Sequence, residues 1–413
     1  MEYETPDRPS GKNMTRTLFV IFSGAILLSA CHRNRPATGL TVLHPPLQTT
    51  EHLLHLSDIA DSLSYIKLAT DTSNLIGVID KIIPLKDRIL IVDKDITQTI
   101  YIFDKSGKFI RKINKKGRGP GEYLSLNDVA VDVSNKRLIV HDDMAQKISI
   151  FTYEGEFIEK IRLDFITTSI AYLGNNRLAC YCDYINNPNY SIRSKSPNLI
   201  LFDLQTRKTQ SKLFFNSTIN RLGITGLINN LSSTYSNDTV HLIMPLNDTV
   251  YSICNNKVQP EYYVDLGVTP QMRELQRTAS SSKSAQEASQ EDSKPQYPVI
   301  CNMLESDSVV YLFYRHNNKS YYGFYNPRRK TFKEGVRIWE KNTDNRIPVV
   351  NDLDKTIPFM PMATDGKNFY YVMESFYFDY FRNSDNPQIA NLSKTITAND
   401  NPVIVVAHIK NNP

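Results

Sequence analysis

The sequence predicts an all-β fold, a six-bladed β-propeller of four-stranded antiparallel blades. Three observations carry that expectation. Segments of the chain repeat at an offset of 48 residues. Each repeat resolves into short alternating strands separated by turn residues. The aromatic complement is 23 Tyr and 18 Phe against one Trp, and Tyr and Phe favour strands.

The repeat is clearest in its first two copies. Arg88–Asp93 aligns with Arg137–Asp142, one place looser, and Ile100-Tyr101-Ile102-Phe103 aligns with Ile148-Ser149-Ile150-Phe151 at the offset of 48. Gly107 matches Gly155, Phe109-Ile110 matches Phe157-Ile158, and Ile113 matches Ile161. In the second copy the spacing predicts strands at 128–132, 137–142, 147–153 and 156–163. The glycines supply the positive φ that a hairpin turn needs. Weaker copies follow. Asn176-Arg177-Leu178 and Asn198–Asp203 mark a third blade, and 238–244 with 248–254 a fourth. A fifth holds 308–314, 321–325 and 331–338; a sixth holds 367–373 and 403–409. The sixth copy has no outer strand of its own. Leu63–Leu68 is a strand without a partner and is expected to close that blade, removing an open sheet edge. The propeller is thus expected over 63–410, with insertions at about 267–298 and 376–401.

The N-terminus reads as an address. Arg16 precedes an apolar run, Leu18–Ala30, which is too short to span a bilayer and suits a secretory h-region. Leu28-Ser29-Ala30-Cys31 resembles a bacterial lipobox, so residues 1–30 are expected to be a signal peptide and Cys31 the lipidated residue. Residues 1–13 are polar and unlike a signal, which makes Met14 a candidate true start. Residues 31–62 then form the lipidated Cys and a tether. The stretch after Cys31 is basic and lacks the acidic residues that mark some surface-exported lipoproteins. A cell-envelope lipoprotein in the outer membrane, facing the periplasm, is the expected location.

Gly117-Arg118-Gly119-Pro120-Gly121-Glu122-Tyr123 followed by Val129-Ala130-Val131-Asp132, the Asp61–Leu68 opening and the Asn401–Val406 ending carry a likeness. On these motifs the chain resembles the six-bladed β-propeller lipoproteins of Gram-negative bacteria, relatives of NHL-type propellers. The resemblance covers nearly all of the mature chain. It implies the fold and no particular activity.

Composition excludes other classes. Hydrophobic residues make 41% and charged residues 22%, which is ordinary for a globular protein. The net charge of +5 comes from 48 basic and 43 acidic side chains, too balanced for a nucleic-acid partner. The basic run Lys105–Arg118 reads as an outer strand guarded by charge against edge pairing. Beyond Cys31 four cysteines remain: Cys180, Cys182, Cys254 and Cys301. Cys180 and Cys182 sit two apart on one strand face, where they cannot easily bond each other. Buried thiols are the plainer reading, with pairing left open.

Strand alternation places the longer connections on one face: Gly117–Tyr123, 183–195, 267–298 and 376–401. Long loops on a rigid scaffold are where binding residues gather. That face is expected to work as a scaffold surface for a protein, peptide or glycan. Arg118, Glu122, Tyr123, Tyr377, Tyr380 and Arg382 are its candidate residues. The run Phe376–Arg382 holds five aromatics in seven residues, which suits stacking or packing over the last blade. The Ser-rich stretch 278–293 is expected to be a flexible loop. No nucleophile or metal motif is present in the linear sequence, so no catalytic or metal residue is assigned. The alternative is a calcium-dependent enzyme of the lactonase or lyase kind, its groups gathered from inner strands at the central channel. Asp80, Asn127 and Asp128 are the channel candidates, and calcium is the cofactor that alternative would need.

Overall fold

The computed structural model describes residues 39–216, 230–234, 239–245, 247–267, 298–317, 319–338, 348–411 and 413. The expected signal peptide and Cys31 lie outside the described residues, as does the stretch 278–293.

Six antiparallel sheets of four strands follow one another along the chain. Blade 1 comprises Lys81–Pro84, Arg88–Asp93, Thr99–Asp104 and Phe109–Ile113, and blade 2 comprises Asp128–Asp132, Arg137–Asp142, Lys147–Thr152 and Phe157–Arg162. Blade 3 comprises Ser169–Tyr172, Arg177–Tyr181, Lys195–Asp203 and Thr209–Asn216, and blade 4 Leu231–Thr234, Thr239–Leu242, Thr249–Cys254 and Lys257–Val264. Blade 5 begins with Val299–Glu305, a strand that sequence reading did not find, and continues with Val310–His316, Lys319–Asn326 and Thr331–Ile338. Blade 6 takes Ala363–Thr364, Asn368–Met373 and Val403–Ile409, and its outer strand is Ala60–Lys67 from the start of the propeller. That last pairing sets Tyr65 opposite Val405 and Leu63 opposite Ala407.

The apolar side chains are buried in the seams between blades. Ile83, Leu90 and Ile102 of blade 1 meet Val129, Leu138 and Val140 of blade 2. Ile82, Ile89 and Phe103 of blade 1 meet Tyr370, Ile404 and Val406 of blade 6. Middle strands are therefore apolar on both sides, as in Arg88–Asp93 and Val403–Ile409. Outer strands are not: Phe109–Ile113 exposes Ile110, Arg111 and Lys112, the charge-guarded edge expected from the basic run. The hairpin glycines behave as the repeat requires, Gly107 at φ 87° and Gly155 at φ 83°.

The expected tether is shorter than 31–62. Thr41–Leu43 pairs in parallel with Tyr262–Val264 as a fifth strand on blade 4, and Leu54–His55 pairs with Val349–Val350. Leu43, Leu54, Leu56 and Ile59 are buried there, and Ser57 donates through its amide and its hydroxyl to Asp352. Apolar residues spaced along an otherwise polar stretch hold it to the outer wall of blades 4 to 6. Among the described residues the four cysteines are free thiols, with Cys180, Cys182 and Cys301 buried.

Candidate functional site

Alternating strand direction sorts the connections onto two faces. On one face they are short, from Asn255–Asn256 up to Leu204–Lys208. On the other lie 68–80, 114–127, 182–194 and 374–402, with the described ends of the connections 265–298 and 339–362. The central channel opens on this long-loop face.

The channel mouth is a cavity of about 470 Å³. It is lined where the inner strands begin, by Asp80 and Lys81 of blade 1, Asn127 and Asp128 of blade 2, and Thr168 and Ser169 of blade 3. The expected channel residues Asp80, Asn127 and Asp128 are thus brought together. The opposite arc is Phe313 and Tyr322 of blade 5 with Met360 and Met362 before blade 6. Phe313 and Tyr322 lie 4.9 Å apart between ring centroids. The mouth therefore has a polar arc and an aromatic, apolar arc.

The polar arc is knitted from blade to blade. Lys81 Nζ donates to Asp128 at 2.8 Å and to the Val129 carbonyl at 2.9 Å. The other oxygen of Asp128 accepts from the Ile170 amide of blade 3 at 2.8 Å. Asp80 accepts from the amides of Lys94 and Asp95 at 2.7 and 3.2 Å. Burial raises its pKa, with those two amides opposing the shift. Both carboxylates are thus engaged by protein donors. Asn127 donates to the Thr168 carbonyl at 2.8 Å and to His141 Nδ1 at 3.0 Å.

His141 is buried, and desolvation lowers its pKa against the opposing charges of Asp128, Asp143 and Asp142. Unfolding returns it to an ordinary value near 6.5. The unfolded chain then binds the extra proton first, so this stabilising contribution is complete above about pH 6.5 and declines as pH falls. The melting temperature is expected to fall between pH 7.5 and 5.5, and His141→Gln is expected to flatten that slope. An unchanged slope in the variant would contradict the assignment.

The glycine-rich loop is a structural crossing. Its one anion is internal: Glu122 folds back, and its carboxylate accepts from the Gly119 amide at 2.6 Å. A Cβ on Gly117 would lie 2.0 Å from that carboxylate, and one on Gly121 would lie 2.8 Å from the Phe157 ring. Arg118 is exposed on the loop face. Tyr123 corrects the expectation, because it is fully buried between blades 1 and 2. Its hydroxyl donates to the Gln98 carbonyl at 2.7 Å, so it is a core residue and not a surface ligand.

The aromatic run forms a helical turn, Ser375–Phe381, followed by a short helix, Pro387–Ser393, capped by Asn386. Phe378 is buried against blade 6 and anchors the turn. Phe376 and Tyr377 pack on each other at 4.4 Å and remain exposed, and Tyr380 is 79% exposed. Arg382 pairs with Asp379 at 2.6 Å. Helical spacing sends Phe378 inward and leaves its neighbours in solvent.

Among the described residues, one group has the composition of a metal site: His241 Nε2 lies 3.0 Å from Glu261 and 2.9 Å from Glu305, at the seam of blades 4 and 5. The arrangement also serves as a buried hydrogen-bonded cluster, with Tyr262 donating to Glu305 at 2.9 Å. Sequence reading passed over it because its members come from three separated strands.

The family model described as "Domain of unknown function (DUF4934)" matches residues 42–408. No curated protein matches the chain. Among solved structures, a Bacteroides fragilis protein described as exported superposes with a TM-score of 0.64 at 18% identity, covering 90% of this chain and 99% of its own. A member of the DUF4221 family from Bacteroides vulgatus gives 0.50 at 11% identity, with 85% and 97% covered. At such identities the likeness concerns the fold.

Proposed function

We propose that this chain, which belongs to the DUF4934 family, is an NHL-like propeller lipoprotein that binds a protein, peptide or glycan on its long-loop face. The observation that carries the reading is the sorting of long connections onto one face, set against uniformly short turns on the other. The chemistry of that face supports it. Exposed Phe376, Tyr377 and Tyr380 offer flat apolar area with polar tips, the side chains that dominate protein and sugar recognition. The divided channel mouth adds hydrogen-bonding groups opposite an aromatic wall. Arg118 and Arg382 contribute charge at the rim. Anchoring follows from the lipobox at Cys31, with the outer membrane, periplasmic side, as the location.

The test is capture from the native envelope. The lipidated protein is mildly crosslinked in its own cells and purified with whatever it holds. The control is Tyr377→Ser with Tyr380→Ser, which spares the buried anchor Phe378. A stoichiometric partner is expected, reduced at least tenfold in the double variant. No enriched partner, or one held equally by both forms, would overturn the reading.

A further inference from the structure

The short-turn face carries a second cleft, between blades 6 and 1, of about 640 Å³. Ser64, His408 and Asn368 line it together with Lys86, Lys105, Lys367 and Tyr370. Ser64 and His408 come from opposite ends of the chain and meet because Ala60–Lys67 closes the last blade. The sheet register sets Asn368 directly opposite His408, and Ser64 diagonal to it across the closing pair.

Hydrogen-bond polarity along this row is fixed by its far end. Asp365 accepts from the amides of Lys367 and Asn368 at 2.9 and 2.8 Å and from the Tyr370 hydroxyl at 2.7 Å. It also accepts from Asn368 Nδ2, at 3.0 Å on one oxygen. That contact turns the Asn368 carbonyl oxygen to His408 Nδ1, 2.9 Å away. A carbonyl only accepts, so Nδ1 carries the proton. In the neutral ring, Nε2 then presents a lone pair, and Ser64 Oγ lies 2.9 Å from it. The hydroxyl donates to a base whose tautomer is set from behind. A nucleophile within reach of a base, and the base oriented by a third group, is the arrangement that activates serine.

We propose that this cleft is a serine acyl-transfer site, with Ser64 as nucleophile, His408 as general base and Asn368 as positioning residue, acting on esters that carry an acidic group. Ser64 Oγ bonds to the acyl carbon while its proton passes to His408 Nε2. The bond to the leaving alcohol breaks, and the alcohol oxygen takes that proton. Water then attacks the acyl-serine, giving its proton to His408, and the carboxylic acid leaves as Ser64 regains a proton. The ammonium groups of Lys86, Lys105 and Lys367 line the same cleft, with Asp365 already held by its own donors, and favour an anionic substrate. Lys105 is half-buried, 5.4 Å from the Tyr370 ring centroid, which holds its stem in place.

The experiment uses the full lipidated chain in detergent with two probes. A fluorophosphonate is expected to label Ser64 alone, as mapped by mass spectrometry. Mono-p-nitrophenyl succinate is expected to be hydrolysed at least tenfold faster than p-nitrophenyl acetate. Ser64→Ala and His408→Gln should abolish both signals. Asn368→Ala should lower kcat at least tenfold with KM little changed, and Asn368→Asp should restore part of kcat, a pattern a merely structural role would not produce. Circular dichroism melts identify any variant that fails to fold, and the wild-type labelling stands independently of the variants. Absence of label on folded wild-type protein, label on another residue, or hydrolysis undiminished in Ser64→Ala would each overturn the proposal. None of these outcomes bears on the envelope capture, which reads the opposite face.

Discussion

Asp142→Ala is expected to destabilise the protein by roughly 3–5 kcal/mol, because several buried donors lose their acceptor at once. The Asp142 side chain is fully buried at the end of the second strand of blade 2. One oxygen accepts from the Leu124 amide at 2.8 Å. The other accepts from Ser125 at 3.2 Å and Ala145 at 3.0 Å. Lys147 Nζ stands 3.5 Å away. One carboxylate thus ties the incoming crossover from blade 1 to the turn of its own blade. Asp93 does the same in blade 1, accepting from Gly77, Val78, Ile96 and Thr97. Alanine in either place leaves these amides unpaired and too enclosed for water to replace the oxygen fully. Asp143→Ala, one residue on and exposed, is the control and should leave the unfolding midpoint within error. Urea unfolding followed by circular dichroism measures both. A shift for Asp142→Ala as small as the control's would contradict the account.

Deleting residues 39–68 is expected to drive the protein into aggregates. The deletion strips Val403–Ile409 of its outer partner along a ladder running from Lys67 to Ala60. What is exposed is Val-Ile-Val-Val-Ala, buried throughout in the closed blade. A flat apolar edge with unpaired amides templates strand addition. It also removes the strand on blade 4 and the contacts of Leu54, Leu56 and Ile59. Size-exclusion chromatography should show aggregate in place of the full-length protein's peak, and a peptide spanning 60–68 supplied during refolding should recover part of that peak. A soluble, protease-resistant truncation would mean that the closing strand is dispensable.

The parts of the fold that sequence made legible are those governed by local periodicity. Ile148 and Ile150 alternate with Ser149, and Gly107 and Gly155 recur where the hairpin needs positive φ, so blades 1 and 2 could be read residue by residue. Val299–Glu305 was missed because it follows a long insertion and reads as an apolar run without alternation. The wall-hugging stretch from Thr41 reads as a tether because its pairing is parallel to a strand more than two hundred residues away, and nothing local announces that. Tyr123 looked like a loop residue because the neighbouring glycines mark a turn, while the direction of a ring is set by tertiary packing. Asp80, Asn127 and Asp128 were legible because the repeat itself places them at strand starts on the channel. Ser64, His408 and Asn368 were not, since they meet only when the ends of the chain are joined in one sheet.

The proposed binding of a protein, peptide or glycan partner to the long-loop face is open to a direct test. A photoreactive phenylalanine analogue placed at Tyr380, on that face, or at Arg207, in a short turn of the other, tests it in living cells. A single adduct of defined mass is expected from position 380 and none from position 207. An adduct from 207 with none from 380 would contradict it.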